Sequence, residues 1–164
     1  MLVIGVDPGT ATTGYGLVAE NQDGSLRVVD FGAVVTPAGI PMPERLLELH
    51  SKLTDVILLH QPESGAVEKL FFQNNVTTAI SVGQARGVAL LALAQAGLVV
   101  AEYTPMEVKQ AVAGYGGADK NQIQQMVRAL LNLDQIPTPD DAADALAVAI
   151  CHLHSYRFRQ LQQS

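Results

Sequence analysis

Apolar and polar positions change period several times along this chain of 164 residues. Leu2-Val3-Ile4-Gly5-Val6 is an unbroken apolar run closed by Asp7, as expected of a strand covered on both faces. After the turn residues Pro8, Gly9 and Thr10, a second strand is predicted over Gly14–Glu20. A third follows over Ser25–Thr36, across Asn21-Gln22-Asp23-Gly24, whose residues favour a hairpin. From Met42 to about His60 the period becomes helical, with Leu46, Leu47, Leu49, Leu53, Val56 and Ile57 three or four apart. Ser64–Glu68 reads as a short buried strand after Pro62, and Asn74–Ala96 as a long helix stopped by Gly97. Leu98–Glu102 is a fifth strand. Thr104 caps a helix to about Ala113, and the loop Gly114-Tyr115-Gly116-Gly117 precedes another from about Asp119 to Leu131. Thr138-Pro139 opens the last helix, expected to end near Tyr156.

Two tight turns make the first three strands an antiparallel meander, whereas intervening helices make strands 1, 4 and 5 parallel. The expected architecture is α/β, a five-stranded mixed sheet with helices on both faces. One domain is expected over residues 1–156, with a short loose Gln-rich tail over 157–164. No internal repeat or linker interrupts it.

Three acidic positions stand hard against apolar sequence, and they carry the chemistry. Asp7 ends the first strand, Glu68 ends Gly65-Ala66-Val67, and Asp144 lies within Ala142-Ala143-Asp-Ala145-Leu146-Ala147. A carboxylate at the edge of a core is costly without a partner, and a metal ion is one of the few adequate ones. Asp7 and Glu68 fall at the carboxyl ends of strands, where α/β sheets bind ligands. A turn-forming Asp explains Asp7 equally well, but turn chemistry does not explain Glu68. Asp140 is accounted for as an acid at a helix N-terminus, and Asp141 is ambiguous on the same ground. Asp141 and Asp144, three apart, share a helix face. Converging carboxylates repel until divalent cations neutralise them, which points to metal-assisted chemistry on a phosphate substrate.

Composition adjusts this picture little. Hydrophobic residues make up 48% and mean hydropathy is +0.20, as in compact folded proteins. No apolar run is expected to span a bilayer, and no signal-peptide pattern opens the chain, so a cytoplasmic protein without membrane contact is expected. The lone cysteine, Cys151, excludes an internal disulfide, fits a reducing compartment, and reads as a small buried apolar residue. The net charge of −6 argues against a nucleic-acid partner until two divalent ions are counted, which leaves −2. His152 and His154, two apart, cannot share a metal on one helix face and read as helix-end histidines. The glycine loop at 114–117 lacks the spacing of a phosphate-binding loop. Gly83 and Gly87, four apart, would let another helix approach the long one. Phe71 and Phe72 follow Glu68 in a loop, where exposed rings suit stacking on unpaired bases; packing in a dimer interface is the alternative, more so for Phe72.

Together Ile4-Gly5-Val6-Asp7-Pro8-Gly9-Thr10, Ala66-Val67-Glu68 and Val82-Gly83-Gln84-Ala85-Arg86-Gly87-Val88 resemble the RuvC family of bacterial Holliday-junction resolvases. Tyr103-Thr104-Pro105, Val108-Lys109-Gln110 and Asp141-Ala142-Ala143-Asp144-Ala145-Leu146-Ala147 complete the likeness, which covers essentially the full length. The Asp-Pro-Gly opening alone is shared with sugar kinases; the ordered set is specific.

The resemblance implies an RNase H-like fold and a Mg²⁺-dependent crossover junction endodeoxyribonuclease. Such an enzyme is a homodimer nicking two opposing strands of four-way junction DNA, beside a branch-migration helicase complex of the RuvA–RuvB type. It implies that Asp7, Glu68, Asp141 and Asp144 hold two Mg²⁺, with Mn²⁺ as the other candidate. In-line hydrolysis would leave a 5′-phosphate and a 3′-hydroxyl. Lys109, Lys120 and Phe71 match family positions near DNA. Arg86, between Gly83 and Gly87, suggests helix packing. Three other readings compete: an RNase H-like nuclease for another nucleic acid, a junction binder without catalysis, and half of a sugar kinase or actin-like ATPase. The four acids argue against the binder, and the chain length against the kinase.

Overall fold

The computed structural model describes residues 1–69 and 75–163. Five strands form one sheet in the order β3-β2-β1-β4-β5. β1 (Leu2–Asp7), β2 (Thr12–Glu20) and β3 (Leu26–Val35) are the antiparallel meander. Its β2–β3 turn is closed by Asn21 N–H to the Ser25 carbonyl at 2.8 Å, with Gly24 at φ 83°. β4 (Ser64–Glu68) lies parallel to β1, and β5 (Val99–Tyr103) parallel to β4. This is the expected mixed sheet, and the architecture is RNase H-like.

Strand alternation sorts the residues between two layers. Ile4, Val6, Leu17 and Val67 face α1 (Met42–His60) and α2 (Val76–Gln95), meeting Leu53, Ile57, Ala89, Ala92 and Leu93. Val3, Val18 and Ala66 face the other way, onto α3 (Pro105–Ala113), α4 (Lys120–Leu130) and α5 (Asp140–Gln163). Both α3 and α4 start in capping boxes, Thr104 with Glu107 and Asp119 with Gln122, which satisfy their first amide groups.

α5 is the central helix of that second layer, and Ala142 to Leu153 is buried along nearly its whole circumference apart from Asp144. It lies unusually close to the sheet because the strands beneath it offer glycine. A Cβ on Gly5 would stand 2.6 Å from the Ala149 nitrogen, and one on Gly16 would stand 2.7 Å from Leu146 Cδ2. A Cβ on Gly14 would strike the carbonyl of Asp141. Real Cβ atoms do not sit this close, so three glycines and the alanines above them set the spacing between layers.

Three sequence expectations need correcting. α5 does not end near Tyr156 but continues to Gln163, so most of the segment expected to be a loose tail is helical. Arg157-Phe158-Arg159-Gln160-Leu161-Gln162 contains no glycine or proline to stop it, and these are competent helix formers. Its start also differs, because Pro139 precedes the first helical residue and lends its carbonyl to the amides of Ala142 and Ala143. Finally, α2 is long and apolar enough to cross a membrane by length and composition, with mean hydropathy 1.4 over its best window. Its Ala, Val and Leu raise that value although Arg86 sits mid-helix. Less than a quarter of that window is buried in the single chain.

Candidate active site

Asp7 and Glu68 are brought together by sheet register. Val6 pairs with Val67, so the next residue on each parallel strand is an acid. Alternation then turns both away from α1 and α2 and toward α5, on the same side as Gly5 and Ala66. The loop after Asp7 is tied down at several points. The buried Thr13 hydroxyl donates to the Gly9 carbonyl at 2.8 Å, and Arg45 Nη2 donates to the carbonyls of Thr10 and Thr36 at 3.2 and 3.1 Å.

The second pair of acids arrives on α5. Asp7 is paired across the strands with Gly14, and Gly14 is the residue over which the Asp141 carbonyl lies. The glycine contact therefore sets the first turn of α5 directly beside the end of β1. Asp144 follows three residues on, on the same face as Asp141.

The charges of Glu68, Asp144 and Asp141 all bear on Asp7. The Asp7 carboxyl is pushed up to about 8, first by burial, then by the charges of Glu68, Asp144 and Asp141. Glu68 is raised by burial and by Asp144, against the opposing pull of a hydrogen bond with Asp7 and of the Lys109 charge. Asp144 is also raised by burial, with Lys120 opposing.

Two lysines complete the site. Lys109 on α3 and Lys120 at the start of α4 line a cavity of about 200 Å³ together with Glu68 and Asp144, over Val108, Ile123 and Ala147. The Lys120 ammonium lies 2.9 Å from Asp140 Oδ2 and 3.9 Å from Asp144 Oδ2. Asp140, read from sequence only as a helix N-terminal acid, thus also holds Lys120. Phe71 and Phe72 lie outside the described residues.

The donor set suits a hard divalent cation: carboxylate oxygens only, in excess, with one carboxyl pushed up by burial and by its acidic neighbours. The Thr10 hydroxyl, just past Asp7, is buried with no hydrogen-bond partner. Among the described residues, no three acidic, His or Cys side chains are gathered on a single point.

Several functional or supporting residues escaped sequence reasoning. His152 is not at a helix end: it is 5% exposed, with Nε2 2.8 Å from Ser64 Oγ and Nδ1 2.9 Å from Tyr103 Oη. Burial pulls its imidazole down to about 4, so it is neutral and joins α5 to β4 and β5. His154 also lies within α5, its Nδ1 3.1 Å from the Ala111 carbonyl on α3. Arg86 does more than fill a helix contact, since it bonds the Glu68 carbonyl and the Glu102 carboxylate. Cys151 is buried, with its thiol pushed up to about 11 by burial. Period and composition give no signal for these links, because each joins elements distant in sequence.

Comparison with known proteins places the chain among relatives of one kind. Residues 3–152 match the family described as RuvC, crossover junction endodeoxyribonuclease. A protein of that name from Desulfitobacterium hafniense is 64% identical over 155 residues, covering 94% of this chain and 93% of the relative. The Thermus thermophilus RuvC structure superposes with a TM-score of 0.90 at 39% identity, covering 96% of each chain. The same T. thermophilus protein in complex with Holliday junction substrate superposes at 0.88, with 37% identity and 96% coverage of each chain.

Proposed function

The chain belongs to the RuvC family of crossover junction endodeoxyribonucleases, and on that premise we propose that Asp7, Glu68, Asp141 and Asp144 form its two-metal centre. It is a nuclease that resolves Holliday junctions, and its activity depends on metal. The observation that carries the assignment of residues is geometric: strand register sets Asp7 beside Glu68, and the seating of α5 on Gly14 sets Asp141 and Asp144 at the same end of the sheet.

Mg²⁺ is the ion we assign to the site, with Mn²⁺ as a substitute. Bound there, the two ions would neutralise the carboxylates, acidify a water and stabilise the departing 3′ oxygen. The protein's part is to hold the ligands and to place the phosphate. Asp7 and Glu68 are fixed by strand ends, and Asp141 and Asp144 by the close seating of α5 on Gly14. Asp7 must release its proton to become a ligand, so metal binding and proton release are linked. Lys109 and Lys120 line the cavity beside Glu68 and Asp144, which supports assigning them contacts with phosphate oxygens of the strand being cut. They supply local positive charge that the net −6 of the chain does not. Phe71, following Glu68 in sequence, is assigned to stack on bases at the junction.

A junction with two equivalent strands to cut calls for two copies of the site, and the exposed face of α2 supports a homodimer. Val76, Ile80 and Leu91 are 73%, 58% and 51% exposed, and with Gly83 and Gly87 they follow one helical stripe. A Cβ on Gly87 would meet nothing within 4 Å, leaving room for another backbone. The one domain expected over residues 1–156, a cytosolic setting and coupling to a RuvA–RuvB type helicase complete the reading. The lone buried Cys151 is in keeping with a reducing compartment.

The test is nick mapping on a synthetic four-way junction against a linear duplex, a flap and an RNA hybrid. The reading expects paired symmetric nicks in the junction alone, sealed by ligase without end repair. Cleavage confined to the flap or the hybrid contradicts it.

A further inference from the structure

Arg86 stands in the middle of α2, on the face of the sheet opposite the acids, yet it reaches the strand that carries one of them. Its Nε donates to the Glu68 carbonyl at 3.3 Å, and its Nη2 pairs with the Glu102 carboxylate. The side chain is 20% exposed. Glu102 lies on β5 opposite Val67, and Lys69 N–H bonds the Tyr103 carbonyl at 2.7 Å, so the ladder between β4 and β5 ends here.

The Glu68 side chain and its carbonyl are therefore held from opposite sides. The carboxyl faces α5, Asp7 and Asp144, while the peptide behind it is gripped by a planar guanidinium from α2. A carbonyl at a strand end has no ladder partner beyond it, and fixing it fixes the direction of the Cα–Cβ bond. Glu102 holds the guanidinium in turn, so the arrangement reads carboxylate, arginine, peptide carbonyl, catalytic strand end. Guanidinium geometry serves this better than an ammonium, because its donors point in fixed directions.

We propose that Arg86 is a positioning residue for the metal centre, aiming the Glu68 carboxylate through the main chain, with Glu102 as its anchor. This rests on the reading of Glu68 as a metal ligand. Arg86 touches no reacting atom and needs no contact with DNA.

Calorimetric titration with Mg²⁺ and Mn²⁺, with single-turnover junction cleavage beside it, tests the proposal. Arg86→Met weakens divalent binding and slows cleavage by about 10-fold or more each, as loss of an outer support to a ligand does. Junction affinity measured without metal stays within about 2-fold, since no phosphate contact is removed. Arg86→Lys falls between wild type and Arg86→Met, and Glu102→Gln gives a smaller loss that disappears in the Arg86→Met background. In a Glu68→Gln background, Arg86→Met changes metal affinity no further. Unchanged metal affinity in folded Arg86→Met overturns the proposal. So does an equal loss in the Glu68→Gln background, or a loss confined to junction affinity. Should Arg86→Met not fold, Arg86→Lys and Glu102→Gln decide by the same readouts. A wild-type protein that binds no divalent ion removes the metal-centre reading and this proposal together. One that binds metal but spares the junction removes only the substrate, and calorimetry still judges Arg86.

Discussion

The two faces of the sheet are built to opposite ends. On the α5 face, Gly5, Gly14 and Gly16 let a helix of small residues sit almost on the strands, and a neutral buried His152 ties that helix to β4 and β5. On the α1/α2 face, larger side chains fill an ordinary core, and α2 shows Val76, Ile80 and Leu91 to solvent. Close packing of α5 on the strands fixes the backbone that carries the acids against their mutual repulsion. The other face leaves an apolar stripe of Val76, Ile80 and Leu91 exposed.

The contrast breaks most sharply at Gly14. Gly14→Ala forces α5 off the sheet beside Asp141, and single-turnover cleavage should fall about 100-fold from the misplaced acids. Thermal melts should show a loss of about 1–3 kcal/mol from overpacking. Wild-type cleavage in this variant would mean that the close contact does not set the site.

A second effect belongs to the same face and depends on pH. The His152 imidazole titrates at about 4 when folded, against 6.5 as the ordinary value. A folded pKa below the unfolded one means that the unfolded chain binds more protons between these values. The stabilisation is therefore complete above about pH 6.5 and is lost as pH falls toward 4, on the order of 2 kcal/mol. Denaturant unfolding from pH 7 to 4 should show this slope, and His152→Gln should flatten it.

The α2 face should respond differently. Ile80→Asp should weaken self-association by about 2 kcal/mol, read by analytical ultracentrifugation, while calorimetric metal affinity per chain stays unchanged. Gly87→Ala, added where nothing lies nearby, should stabilise the isolated chain by up to about 1 kcal/mol through helix propensity. Its cost should appear in self-association alone, read by the same ultracentrifugation. If Gly87→Ala unfolds the chain, the open space assigned to that face is wrong.

Much of this was legible in sequence for physical reasons. Period-two and period-3.6 patterns gave the elements, since each must bury one face, and turn residues gave the antiparallel meander. Asp7, Glu68 and Asp144 stood out because a charge against apolar sequence is costly. Asp141 did not, because a helix N-terminus explains an acid equally well; the Gly14 contact with its carbonyl marks where it stands. Glycine at 5, 14 and 16 carried no readable message until the α5 backbone was seen above it. His152 and Arg86 were opaque for a related reason. Their partners lie 88 and 18 residues away, and no local period records such a bond. The continuation of α5 past Tyr156 was missed because a Gln-rich composition describes a loose tail and a solvated helix equally well.

The central claim is that the four carboxylates act as one metal-holding unit that cuts a junction. Asp7→Asn tests it most directly, assayed in Mg²⁺ for junction cleavage and, in parallel, for junction binding. The account predicts cleavage reduced by about a thousand-fold or more, with binding within a few-fold of wild type, because a ligand is lost while an amide of the same shape keeps the fold. Cleavage by Asp7→Asn within about ten-fold of wild type would contradict it.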